Sequence, residues 1–150
     1  YMDIDRVGAF EAAGGPGVVD GLLSYPDFYK VGVTNIPHDA RLMTASMWGD
    51  MYEGDVIESP VYPEQRVENL KGKLLLMGGM LDLTVPPAGT FRFIEALEKA
   101  NKDFDMLLLP NLGHGFSFYL VRRAWDYFVQ HLLGEEPPKE FLLTGLLGTD

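Results

Sequence analysis

Two continuous apolar runs, Lys73-Leu-Leu-Leu-Met77 and Phe104-Asp-Met-Leu-Leu-Leu109, do most to limit how this chain can fold. A strand with one wet face alternates apolar and polar residues; a run apolar at successive positions is buried on both faces, as in a parallel sheet covered by helices. Each run stops at a chain breaker, Gly78-Gly79 in one case and Pro110 in the other, and each is followed by apolar residues at helical spacing. After the first run, Pro86-Pro87 supplies first-turn residues, and Phe91, Ile94, Ala96 and Leu97 predict a helix reaching Asn101. After the second, Phe118 to Leu133 predicts a helix ended by Gly134.

The same alternation opens the chain. Arg6-Val-Gly-Ala-Phe10 reads as a strand, Ala12-Ala-Gly-Gly-Pro-Gly17 as a tight turn and Val18 to Leu23 as a helix. Tyr25-Pro26-Asp27 ends that helix, because proline disfavours helical geometry in the residue before it, and Tyr29 to Val33 reads as a second strand. Asn35 to Asn69 is irregular, with Pro37, Pro60 and Pro63 and one helical stretch from Arg41 to Tyr52. Strands alternating with helices imply right-handed βαβ crossovers, hence an α/β fold with a parallel sheet and flanking helices. Residues 1–134 read as one domain and 135–150 as a loosely packed tail.

The 150 residues, 47% of them hydrophobic, suffice for one core and exclude a disordered chain. A formal net charge of −10 repels phosphate backbones, so nucleic acid is not an expected partner. With no cysteine, thiolate catalysis and Cys-ligated zinc are excluded, and redox chemistry does not indicate a compartment. No apolar run approaches the roughly 20 residues of a membrane span. Tyr1 begins in mid-phrase, as though an upstream portion were missing; the first strand is therefore expected to pair along its outer edge with further strands or with another copy of the chain.

In an open parallel sheet, reactive groups gather at the carboxyl ends of the strands. Three such ends carry chemistry here: Glu11 to Gly15, Gly79 to Val85 with Asp82, and Asn111 to Phe116 with His114. Taken alone, Asp82 is an ordinary turn aspartate and His114 a structural loop histidine more often than a base. The order of segments changes that balance. Arg6-Val-Gly-Ala-Phe-Glu-Ala-Ala-Gly-Gly15, Tyr25-Pro-Asp-Phe-Tyr-Lys-Val-Gly32, Trp48-Gly-Asp-Met-Tyr-Glu-Gly54, Gly79-Met-Leu-Asp-Leu-Thr-Val-Pro86 and Leu109-Pro-Asn-Leu-Gly-His-Gly-Phe116 together resemble the C-terminal half of an α/β-hydrolase domain of the prolyl oligopeptidase and dipeptidyl peptidase IV type.

That resemblance implies a serine-type peptidase acting on peptide or small ester substrates, with no cofactor and no metal. It implies Asp82 as the orienting acid and His114 as the general base, and it places Ala13 where the nucleophilic serine stands. The backbone N–H of Gly14 is then one oxyanion donor, and Trp48, Tyr52 and Val85 line the pocket for a small or proline-like side chain. Ordinary aromatic packing explains Trp48 and Tyr52 equally well. The elbow departs from Gly-X-Ser-X-Gly: Glu11 replaces the first glycine, Ala13 the serine, and Pro16 a usual glycine. A methyl group cannot attack a carbonyl, so the acyl-enzyme route through position 13 is closed. A single engineered Ser→Ala change leaves Glu11 and Pro16 unexplained, so the pattern reads as divergence.

Rival readings remain at this level. The chain can be an inactive peptide-binding or scaffold module built on the same fold. A flavodoxin-like domain needs a phosphate-binding turn that Ala12 to Gly17 matches only weakly. Glu11 reads either as a substitute acid or base or, more simply, as a tolerated residue facing solvent. Ser117 is either a displaced nucleophile or the cap of the last helix. His131 reads as a helix-end residue, and His38-Asp39 as loop rather than metal ligands.

Overall fold

The computed structural model describes residues 3–12, 17–35 and 62–143. Among the described residues four parallel strands lie in the order β1-β2-β3-β4: β1 (Val7–Glu11), β2 (Tyr29–Asn35), β3 (Lys73–Gly79) and β4 (Asp105–Leu109). Helix α1 (Gly17–Ser24) links β1 to β2, α2 (Pro87–Lys99) links β3 to β4, and α3 (Phe118–Phe128) follows β4. The parallel sheet with flanking helices is the fold class the apolar runs predict.

The period of two along each strand sorts residues between two cores. Leu74 and Leu76 pack with Val18, Val19, Leu22 and Leu23 of α1 and Phe93 and Leu97 of α2. Leu75 and Met77 turn the other way, joining Val31, Val33 and the α3 residues Leu120, Ala124 and Tyr127. Each leucine fully removed from water contributes about 2 kcal/mol, so this two-sided burial holds β3 at the centre. Gly32 belongs to the α1 face because Leu22 and Val18 press so close that a Cβ there would lie 2.7 Å from Leu22.

Several element ends differ from the sequence expectation. β1 extends one residue further, through Glu11, and β2 two further, through Thr34 and Asn35, both buried. Gly78-Gly79 does not close β3 but belongs to it, pairing with Leu108 and Leu109. Helix α2 ends at Lys99, and Asn101 adopts φ 54°, the left-handed conformation that stops it. The last helix changes to a π-turn over Val129–Leu133 before Gly134, at φ 73°, terminates it. Two 3-10 turns, Pro63–Gln65 and Val67–Asn69, strap the end of α1: Arg66 pairs with Asp20 and Ser24, and Asn69 donates to the Leu23 carbonyl at 3.1 Å. The helix expected over 41–52 lies outside the described residues. No helix among the described residues is long and apolar enough to cross a membrane.

Candidate active site

The site grows from a close contact between two loops. Beyond β3 the chain turns at Met80, whose N–H is donated to the Leu109 carbonyl at 2.9 Å; Leu81 N–H then reaches the Leu112 carbonyl at 3.0 Å. The loop after β3 is therefore bound to the loop after β4 by main-chain hydrogen bonds. Gly79 permits it: a Cβ there would overlap the Leu112 carbonyl oxygen and lie 2.6 Å from that of Gly113.

Those loops carry Asp82 and His114. Asp82 is only 2% exposed, yet its carboxylate is fully engaged. Oδ1 accepts the N–H groups of Thr84 at 2.9 Å and Val85 at 2.7 Å, closing an aspartate turn, while Oδ2 lies 2.9 Å from Nδ1 of His114. A carboxylate only accepts, so Nδ1 is the protonated nitrogen and Nε2 is left as the basic one. The imidazole, at 37% exposure, opens to the rim. A buried acid fixing the tautomer of an accessible histidine is the arrangement a general base requires.

β1 reaches the same rim. The ring of Phe10 meets that of Phe116 in the histidine loop, 6.1 Å between centroids. Asn35, at the end of β2, donates its side-chain N–H groups to the carbonyls of Ala12 and Gly115, each at 3.1 Å. Gly115 has φ +136°, a conformation that side chains rarely adopt. The ends of β1, β3 and β4 thus converge, as their sequence order requires.

Of the residues singled out in the sequence, Asp82 and His114 are brought into contact. Val85 is 1% exposed and meets Asp82 through its backbone N–H. Ala13, Gly14, Trp48, Tyr52, Pro16, His38 and Asp39 lie outside the described residues. Ser117 is the cap of α3, its hydroxyl accepting the Leu120 N–H at 3.2 Å. His131 packs its ring on Tyr127, 4.3 Å between centroids, in the π-turn.

Glu11 is half-buried, its carboxylate turned to α1 rather than out to solvent alone. Along β1, Ala9 packs on the α1 side, and two residues on Glu11 points the same way, its carboxylate accepting the Val18 N–H at 3.1 Å at the first turn of α1. Desolvation raises its carboxyl above the ordinary range, against the lowering effect of the Val18 and Gly17 N–H groups. Its alternating position on the strand was visible in sequence; the helix terminus beneath it was not. Asn35 also escaped the sequence reading, although an asparagine that ends Val31-Gly-Val-Thr34 is a polar residue where a buried strand meets the rim.

Known proteins share this fold. The sequence model of the prolyl oligopeptidase family matches residues 1–135. The chain is 30% identical over 92 residues to Dipeptidyl peptidase family member 1 of Caenorhabditis elegans, an overlap of 60% of this chain and 12% of that protein. A putative dipeptidyl aminopeptidase IV from Bacteroides ovatus superposes with a TM-score of 0.73 at 26% identity, covering 88% of this chain and 20% of the other. The acylaminoacyl peptidase of Pyrococcus horikoshii shares the fold, with a TM-score of 0.72 at 19% identity over 93% of this chain and 26% of its own. The chain thus spans about an eighth of that curated relative and a fifth to a quarter of these solved structures. The parallel sheet with flanking helices fits that assignment, and the chain belongs to the prolyl oligopeptidase family.

Proposed function

We propose that the chain forms part of a prolyl oligopeptidase-type serine hydrolase acting on peptide or small ester substrates. Asp82 is its orienting acid, His114 its general base, and position 13, the nucleophile seat, holds alanine. The observation that carries the reading is the 2.9 Å contact between Asp82 Oδ2 and His114 Nδ1 at the ends of adjacent strands. In this scheme Nε2 is the acceptor for the proton of a hydroxyl at position 13, which this chain lacks and Ala13→Ser restores, and the N–H of Gly14 is the donor to the developing oxyanion. Trp48, Tyr52 and Val85 receive the side chain next to the scissile bond. Residues 1–134 are the hydrolase part and 135–150 the tail. The outer edge of β1 is paired by further hydrolase strands or by a second copy of the chain.

A second reading is favoured by Glu11. Its carboxylate caps the helix that follows the nucleophile turn, where the family pattern has glycine, and alanine at position 13 supplies no attacking oxygen. On that reading the cleft holds peptides without cutting them.

Fluorophosphonate labelling and activated-ester turnover of the intact protein separate the two, with the Ala13→Ser variant alongside. The hydrolase reading expects Ala13→Ser to gain labelling at position 13 that disappears when His114→Gln is added. Absence of labelling in Ala13→Ser overturns it and leaves the binding module.

A further inference from the structure

We propose that Asn35 is a positioning residue that sets the distance between the nucleophile turn and the imidazole loop. The inference rests on reading Asp82 and His114 as acid and base, and it concerns a residue from which no catalytic group hangs. Asn35 is 1% exposed and continues the face of Val31 and Val33, where an aliphatic side chain would complete the apolar surface against α3. It instead presents a carboxamide whose Oδ1 is buried and has no hydrogen-bond partner among the described residues. An orphaned buried acceptor lowers stability, so the asparagine is not there for packing.

What it offers is a pair of donors on one rigid nitrogen. One reaches the carbonyl of Ala12, the residue before the nucleophile position, and the other the carbonyl of Gly115, the residue after His114, both at 3.1 Å. These carbonyls lie 23 and 80 residues from Asn35 in the chain, and among the described residues the ring of Phe10 in β1 also meets that of Phe116 in the histidine loop. Ring contacts slide; two hydrogen bonds to one planar amide do not. The glycine after His114 completes the device, since φ +136° turns the carbonyl to Asn35 without a side-chain penalty. Asp82 fixes the imidazole from the β3 side, and Asn35 fixes its loop from the β2 side.

The test is amide and imidazole hydrogen exchange by NMR on the intact protein. In the unaltered protein the Asn35 carboxamide protons should exchange at least tenfold more slowly than those of an exposed asparagine, and the His114 Nδ1 proton should be protected. Asn35→Leu, close in size and without donors, should speed exchange of that Nδ1 proton at least tenfold while the amides of Leu76 and Leu97 keep their protection. A merely structural role would move all of these together, and that result overturns the proposal, as does an unchanged Nδ1 proton. If Asn35→Leu does not fold, the unaltered protein still decides: carboxamide protons exchanging at the exposed rate refute the clamp. Failure of the hydrolase reading shows elsewhere, in missing label on Ala13→Ser or in a His114 Nδ1 proton unprotected in the unaltered protein.

Discussion

One carboxylate, that of Asp82, holds His114 with Oδ2 and its own turn with Oδ1, so the histidine and the loop beside it share an anchor. The two functions separate by substitution. Asp82→Asn keeps an oxygen for the Thr84 and Val85 N–H groups but presents an N–H to His114, forcing the proton onto Nε2. It should cost about 1–2 kcal/mol. Asp82→Ala orphans two backbone donors as well and should cost about 3 kcal/mol. Urea unfolding measures the costs and 15N shifts of the imidazole report the tautomer; equal destabilisation by the two variants would show that the turn does not depend on Oδ1.

Gly79 is predicted to be as sensitive as any residue of the site while touching no reacting group. Gly79→Ala drives a methyl group into the carbonyls of Leu112 and Gly113, both of them backbone atoms that cannot swing aside. The expected cost is about 2–3 kcal/mol of overpacking, accompanied by loss of protection of the His114 Nδ1 proton. Denaturation with the same NMR observation checks both. A stable Gly79→Ala protein with the imidazole proton unchanged would mean that the histidine loop has room this geometry denies.

Ser117 offers a cleaner division between cap and nucleophile. Ser117→Ala removes the acceptor for the Leu120 N–H and should lower stability by about 1 kcal/mol. Fluorophosphonate labelling of an Ala13→Ser background should be untouched by it. Loss of label with stability intact would reassign Ser117 to chemistry.

Sequence and structure part company where distant chain segments meet. The apolar run of β3 announces a two-sided sheet because burial of both faces leaves Leu74 to Met77 no polar position, whereas β4, last in the order of the described strands, keeps Asp105 and Met106 exposed despite its similar run. Gly134 and Ser117 are equally plain, since a left-handed cap and a hydroxyl cap are local devices. Gly78-Gly79 misled for the converse reason: a glycine pair at the end of a run signals a turn, and only the loop from Leu112 to Gly113, far along the chain, shows that Gly79 is a strand residue with another backbone against it. Asp82 and His114 were legible as a pair only through the order of five segments. Asn35 was not, because its two acceptors lie 23 and 80 positions away.

Glu11 carries a pH-dependent prediction whose sign follows from its surroundings. Desolvation is the largest influence and lifts its carboxyl above the ordinary glutamate value of 4.5, with Asp20 adding in the same direction, while the Val18 and Gly17 N–H groups pull the other way without prevailing. A raised acid binds its proton more tightly folded than unfolded, so its stabilising contribution is complete below pH 4.5 and is lost as pH rises through the folded value. Glu11→Gln keeps an acceptor for the Val18 N–H and never bears the charge. At pH 7 it should melt about 1–2 °C above the unaltered protein, a small gain because the site is half exposed. The two curves should converge as pH falls towards 4, whereas Glu11→Ala, which abandons the cap, should lie about 1 kcal/mol below Glu11→Gln at every pH. Thermal melts of the three proteins between pH 4 and 8 test the assignment. Glu11→Gln melting below the unaltered protein at pH 7, with the two curves meeting on acidification, would show that the carboxylate is stabilised at the helix terminus more than burial penalises it.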